Sequence, residues 1–258
     1  MREGIGIGRG GQAGCGIVRR VETWLTLGVL FTAALTQGIL GFGFGILAMG
    51  ALALTGDLLY AAGLVNLMGC VLTSCMTLML RRSVQWKRVV RILPFTVVGV
   101  GFGLATLDTL SRDVLVRLLG CTIVVIAFWN LRGRPLQRSP SSAADVWAGL
   151  GSGLLQGAFN IGGPPLIAHV YRLPYSPDAL KGTVQALFML MVFVRLGGAV
   201  WREQITQQMG LQALYGLPAA LAGLTLGIVL SRRISGENFH RMSWIAFALL
   251  GIYLTVVG

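Results

Sequence analysis

The sequence predicts an all-α polytopic membrane protein made of two four-segment repeats, the first segment of each broken at a Gly/Pro cluster. Three observations lead there. Of 258 residues, 55% are hydrophobic and only 12% charged, against about 25% charged in a soluble domain, and the mean hydropathy is +0.75. The charges are confined to short intervals: 23–56, 58–80, 92–107, 118–131, 146–171, 182–194, 204–231 and 242–258 contain no Asp, Glu, Lys or Arg. About 20 apolar residues span a bilayer, and the shorter stretches reach that length when a flanking arginine snorkels to the headgroups. The chain also repeats. The offset that carries Gln37 onto Gln156 places Leu35, Gly38, Gly43, Leu47, Leu54, Gly63 and Val65 on identical residues, and Asn66 on Gln185. Continuous apolar runs rather than alternation exclude a β-barrel.

Residues 1–22 are rich in Gly and Arg and are expected to be a disordered tail, or sequence upstream of the true start. Arg19 and Arg20 before an apolar run imitate a signal peptide, but the run continues to Leu54, so it reads as a retained first segment. The first repeat, 23–131, then takes segments at 24–54, 58–80, 92–107 and 113–131. A polar linker, 132–144, contains Pro135 and Pro140. The second repeat, 145–258, takes segments at 145–173, 179–201, 209–230 and 239–258. Whether all eight cross, or the two broken segments are re-entrant hairpins, stays open, because the two topologies divide the Lys and Arg between the sides almost alike, 14 to 7 against 13 to 8.

The formal charge of +12 does not indicate nucleic acid. Arg81, Arg82, Lys87, Arg88, Arg91, Arg132, Arg134 and Arg138 sit between apolar segments, where they read as topology signals facing anionic lipid. The four cysteines form no C-x-x-C pair, and neither His169 nor His240 has a ligand partner at metal spacing. No metal and no cofactor are expected. An enzyme has little support without a nucleophile–base pair.

The chemistry concentrates at two clusters inside long apolar segments, Gly38–Gly45 and Gly157–Pro165. Close helix packing alone would explain scattered glycines, but Pro164 and Pro165 remove two amide donors in a row, so a helix must break before them. Broken backbone at membrane depth is tolerated where it is buried or lines a wet cavity. A new helix start there turns free N–H groups and a positive dipole end inward, a site for an oxyanion. The candidate binding residues are Gln37, Gly41, Gly43, Gly45, Asn66, Gln156, Asn160, Gly162, Gly163, Lys181 and Gln185: glycines to present amides, side-chain amides to hold oxygens, and a lysine to attract the anion. All nine acidic residues fall at segment ends, in loops or in the tail, so no intramembrane carboxylate is expected and an anion is favoured over a cation. His169 is expected to hydrogen-bond within the bundle, with a proton-linked role as the alternative, and Arg195 to be an interface anchor near Trp201.

Over these clusters, at Gly153–Lys181 (GLLQGAFNIGGPPLIAHVYRLPYSPDALK) and Leu35–Leu47 (LTQGILGFGFGIL), the sequence resembles the TauE/SafE-like sulfite exporter family. Phe44 stands where the family commonly has glycine, and Lys181 where it often has arginine. The resemblance implies a small multi-pass carrier of seven or eight helices in the bacterial inner membrane, moving sulfite, sulfonates or other small sulfur-containing or carboxylate anions. The expectation is therefore a secondary transporter, an exporter, binding its anion between two broken helices. The alternative is a passive anion channel using the same filter. Expected partners are the anion, membrane lipid and a coupling ion (proton or sodium). Nucleic acid is excluded, and a homo-oligomer is left open.

Overall fold

The computed structural model describes residues 10–54, 57–109, 111–132, 141–231 and 236–257. They form ten helices and no strand: α1 Gly10–Leu40, α2 Phe44–Ala53, α3 Leu58–Leu80, α4 Trp86–Thr109, α5 Arg112–Arg132, α6 Ser142–Phe159, α7 Gly163–Val170, α8 Pro177–Trp201, α9 Gln207–Ser231 and α10 Gly236–Val257. The eight expected segments are all present, and the first and fifth are each two helices. α1 begins at Gly10, within the stretch expected as a tail, of which residues 1–9 lie outside the described residues. Ser142–Ala144, expected in the linker, open α6; 133–140 lie outside the described residues. α4 starts at Trp86 rather than at 92, because a helix carries charge wherever the charge finds a partner.

Local chemistry sets the ends. Asp57 caps α3 by accepting from the Tyr60 amide at 2.9 Å, and Ser176 caps α8 ahead of Pro177. Four helices, Leu58–Leu80, Trp86–Thr106, Pro177–Trp201 and Gln207–Ser231, are long and apolar enough to cross a membrane by length and composition. Large apolar side chains cover the outside, with Trp24, Trp86, Trp147 and Trp201 all exposed, as a lipid-facing surface with aromatic anchors would have.

Helices pair through glycine. α4 lies on α6 and α1 on α9, and the backbones touch: a methyl at Gly103 would overlap the Leu154 carbonyl, and one at Gly227 the Leu35 carbonyl. Small residues four apart permit that approach. α5 packs on α10 and α3 on α8.

Contacts fix the directions. Gly149, Gly153 and Gly157 of α6 face Ile92, Thr96 and Val100 of α4 in turn, so the two run parallel. α8 also runs parallel to α4, tied by the Gln85 amide to Thr183 Oγ1 at 3.0 Å near one end and by Arg202 Nη1 to the Leu104 carbonyl at 2.9 Å near the other. α6 and α8 thus point the same way, and α7 must return between them. It does: Gly162 faces Gln156 and Ser152, Pro165 faces Gly151, and His169 reaches Asp145. In the first half α1 runs parallel to α9 while α3 runs antiparallel to α8, Leu80 facing Gly182 and Gly69 facing Val192. Since the turn at 202–206 reverses the chain, α1 and α3 share a direction and α2 returns. Both broken segments are re-entrant hairpins, entering from opposite faces.

Candidate functional site

Each hairpin tip is a helix stop followed at once by a helix start. α1 ends with the Gly41 amide on the Gln37 carbonyl at 2.7 Å; Gly41 and Gly43 have φ of 81° and 107°, left-handed backbone that glycine adopts without penalty, and Gly43 precedes α2. α6 ends at Asn160, itself left-handed at φ 57°, with its amide on the Gln156 carbonyl at 3.0 Å and the Ile161 amide on the Leu155 carbonyl at 3.2 Å. α7 then starts with Pro164 and Pro165 in its first turn. The tips touch: a methyl on Gly45 would overlap the Asn160 carbonyl oxygen.

Between the tips lies a cavity of about 50 Å³. Gln37, Gly43, Gly45, Gln156, Asn160, Gly162 and Gly163 line it, with Phe42, Phe44, Thr73, Phe188 and Val192 among its other walls. Gln37 is only 4% exposed, and its Nε2 has no partner; a buried donor left open costs about 1–3 kcal/mol. Gln156 is already engaged: its Nε2 donates to Asn160 Oδ1 at 3.1 Å and its Oε1 accepts from the Gly162 amide at 3.0 Å. Asn160 Nδ2 donates to the Ala62 carbonyl at 2.7 Å. The second tip therefore presents few amides, since Pro164 and Pro165 have none and that of Gly162 is bonded. The first tip has no proline at its helix start.

The other four candidates do not line the cavity. Gln185 Nε2 donates to the Gly41 carbonyl at 2.5 Å, and Asn66 Nδ2 donates to the Val192 carbonyl at 3.0 Å. These amides tie α8 to the first tip and α3 to α8. Lys181 is half-buried, its alkyl stem packed on Gly41 beside the Tyr171 hydroxyl. Behind the first tip, Phe42 lies against Trp244 at 5.5 Å and Trp244 against Phe247 edge-on at 5.3 Å, fixing it to α10.

Three charged side chains lie where sequence reasoning did not put them. Arg195, expected at the interface, is 1% exposed, and its Nε donates to the Gly157 carbonyl at 3.0 Å. It lies one turn beyond Val192, a wall of the cavity, and bonds the residue next to Gln156, another. Among the described residues no carboxylate pairs with it. The sequence held a signal: Gln185, Phe188, Val192 and Arg195 share one helical face. Arg88, expected to face lipid, is buried and donates through Nη1 to both oxygens of Asp145, at 2.9 and 2.6 Å. Asp145 is fully buried, although it lies in the first turn of α6, at the segment end where the sequence places it. Its position at a segment end hid it, because charge-free runs are found by excluding such residues. Its Oδ1 also lies 2.6 Å from His169 Nε2.

Residues 26–254 match the family model described as Sulfite exporter TauE/SafE. The chain is 28% identical over 198 residues, 74% of its own length and 77% of the relative's, to a Cupriavidus necator protein named a probable sulfite/organosulfonate exporter, TauE. It is 27% identical over 177 residues, 67% of its length and 74% of the relative's, to a Comamonas testosteroni protein named a probable inner membrane transporter protein, TsaS. No solved structure is significantly similar to it.

Proposed function

The chain belongs to the sulfite exporter TauE/SafE family of membrane transporters, and on that premise we propose that it is a secondary exporter of small sulfur-containing or organic oxyanions, held between the two re-entrant tips. The observation that carries this reading is the open donor of the buried Gln37, in a small cavity beside two helix starts. An anion oxygen satisfies that donor, the α2 dipole end favours its charge, and the buried Arg195 supplies the counter-charge. Gln156 and Asn160 hold the second tip in shape, while Gln185, Asn66 and Lys181 hold the surrounding helices; Lys181 also draws anions toward the first tip. The cavity has space for about three or four waters, the size of sulfite, so a longer sulfonate needs the tips to part.

The two halves, 23–131 and 145–258, are proposed to be duplicated and inverted, and rocking of one against the other exposes the site to each side in turn. The face with Arg81, Arg82, Lys87, Arg91, Arg172 and Lys181 is assigned to the cytoplasm of a bacterial inner membrane, by the bias of positive charge. Reconstituted protein should show saturable flux and counterflow of sulfite, sulfoacetate or simple carboxylates. In Gly162→Leu the new Cβ would lie 2.9 Å from Gln156 Oε1 and 3.0 Å from the Ser152 carbonyl, and flux should fall at least tenfold, as it should in Gln156→Ala. Flux unchanged in both would displace the site, and flux that never saturates and shows no counterflow would indicate a channel.

A further inference from the structure

The ion cluster on the second hairpin is not needed by the site just described. It is also absent from the first hairpin: the residues that the repeat offset pairs with Asp145 and His169 are Thr26 and Gly50. A buried ion pair is weak support for a fold, because apolar residues of equal volume serve as well. What distinguishes this one is its third member. Arg88 Nη1 binds both Asp145 oxygens, and His169 Nε2 lies on Oδ1 at 2.6 Å. Asp145 is thereby a pure acceptor, so Nε2 carries a hydrogen and donates it. Nδ1 is the position left to take a proton. His169 keeps 12% of its side-chain surface exposed and lines a largely apolar groove of about 600 Å³, walled by Leu118, Trp147, Leu155 and Pro165 with Thr122 and Arg172 as polar members.

We propose that His169, held by Asp145 and Arg88, binds the proton whose movement is coupled to that of the anion. Proton uptake at Nδ1 turns the imidazole into an imidazolium, and the Nε2–H to Oδ1 bond becomes a charged one. Such a bond is about twice as strong as its neutral counterpart. α7 transmits the change, for its start at Gly163 is a wall of the anion cavity and its last turn carries His169. Protonation clamps α7 to α6 and proton release loosens it, so the second tip answers to the proton. The charged groups facing His169 from the elements around it are Asp145 on α6, Arg88 and Arg91 on α4, with Arg91 at 3.9 Å from Asp145, and Arg172 after α7. α8 packs on α7 as well; its ionisable groups are Asp178, Lys181 on Gly41 and Arg195 on Gly157.

This inference rests on the transport reading, and the test separates the two. Full-length protein in proteoliposomes is given labelled sulfoacetate, which does not titrate near neutrality. Wild type should show sulfoacetate counterflow, and an imposed pH gradient of one unit should drive its accumulation, up to about tenfold at one proton per anion. His169→Gln keeps a donor at the place of Nε2 but cannot accept a proton. It should retain counterflow within about threefold and lose the gradient-driven accumulation, and Asp145→Asn should lose it too. A merely structural role would lower counterflow and leave the accumulation ratio unchanged. Accumulation by H169Q equal to that of wild type overturns the proton assignment. Wild-type counterflow with no response to the gradient and no proton movement overturns it as well, even if the variants do not fold. No counterflow in wild type fails the transport reading itself.

Discussion

In the proposed site Arg195 and Gln37 would recognise the anion, and they differ in how visible they were. Gln37 stood out because an amide inside an apolar run needs a partner, and its repeat mate Gln156 stood at the same offset. Arg195 was hidden by the common behaviour of arginines near segment ends, which snorkel; only its helical register with Gln185 and Val192 pointed inward. Arg88 was hidden in the same way. Residue type told where polar groups were, but pairing across α4, α6 and α7 decided which of them entered the core. Replacing Arg195 with Met should raise the half-saturation concentration for sulfite by about 10- to 100-fold, the range for a lost charge-assisted hydrogen bond, read from the concentration dependence of flux. Gln37→Ala should act in the same direction with a smaller effect.

At the scale of elements, the breaks were legible and their geometry was not. Consecutive prolines and clustered glycines say where hydrogen bonding along a helix must stop, and the chain stops at Gly41–Gly43 and Asn160–Gly162. They do not say where the chain goes next, since a straight continuation and a return use the same residues. The return of α7 follows from partners far away in sequence: Gly151 for Pro165 and Asp145 for His169. Glycine pairing across helices gives a direct test. Gly103 sits with the Leu154 carbonyl where its side chain would be, whereas Gly101 has nothing within 4 Å. Gly103→Ala should destabilise by about 1–3 kcal/mol and lower the unfolding temperature in detergent by several degrees, while Gly101→Ala should leave it unchanged.

At the scale of the molecule, eight apolar segments were readable from charge spacing alone, and whether the two broken ones cross was not, because both topologies divide Lys and Arg between the faces almost alike. The hairpins resolve it. Asp57 follows the first hairpin and Asp178 the second, and the hairpins enter from opposite faces. In a variant lacking native cysteines, Asp57→Cys and Asp178→Cys should react with an impermeant thiol reagent from opposite sides of the membrane. Eight full crossings would place both on one side.

The contact of Gly45 with the Asn160 carbonyl has a mechanical consequence. It is a fulcrum made of backbone alone, without a side chain that could flex to absorb movement, and it joins the two hairpins at their innermost points. In the proposed rocking cycle a tilt of one hairpin about that point would be passed to the other, so that widening the gap on one side would narrow it on the opposite side. Under that proposal the two mouths would not stand open together while the fulcrum holds, and leverage rather than a separate gate would limit leak.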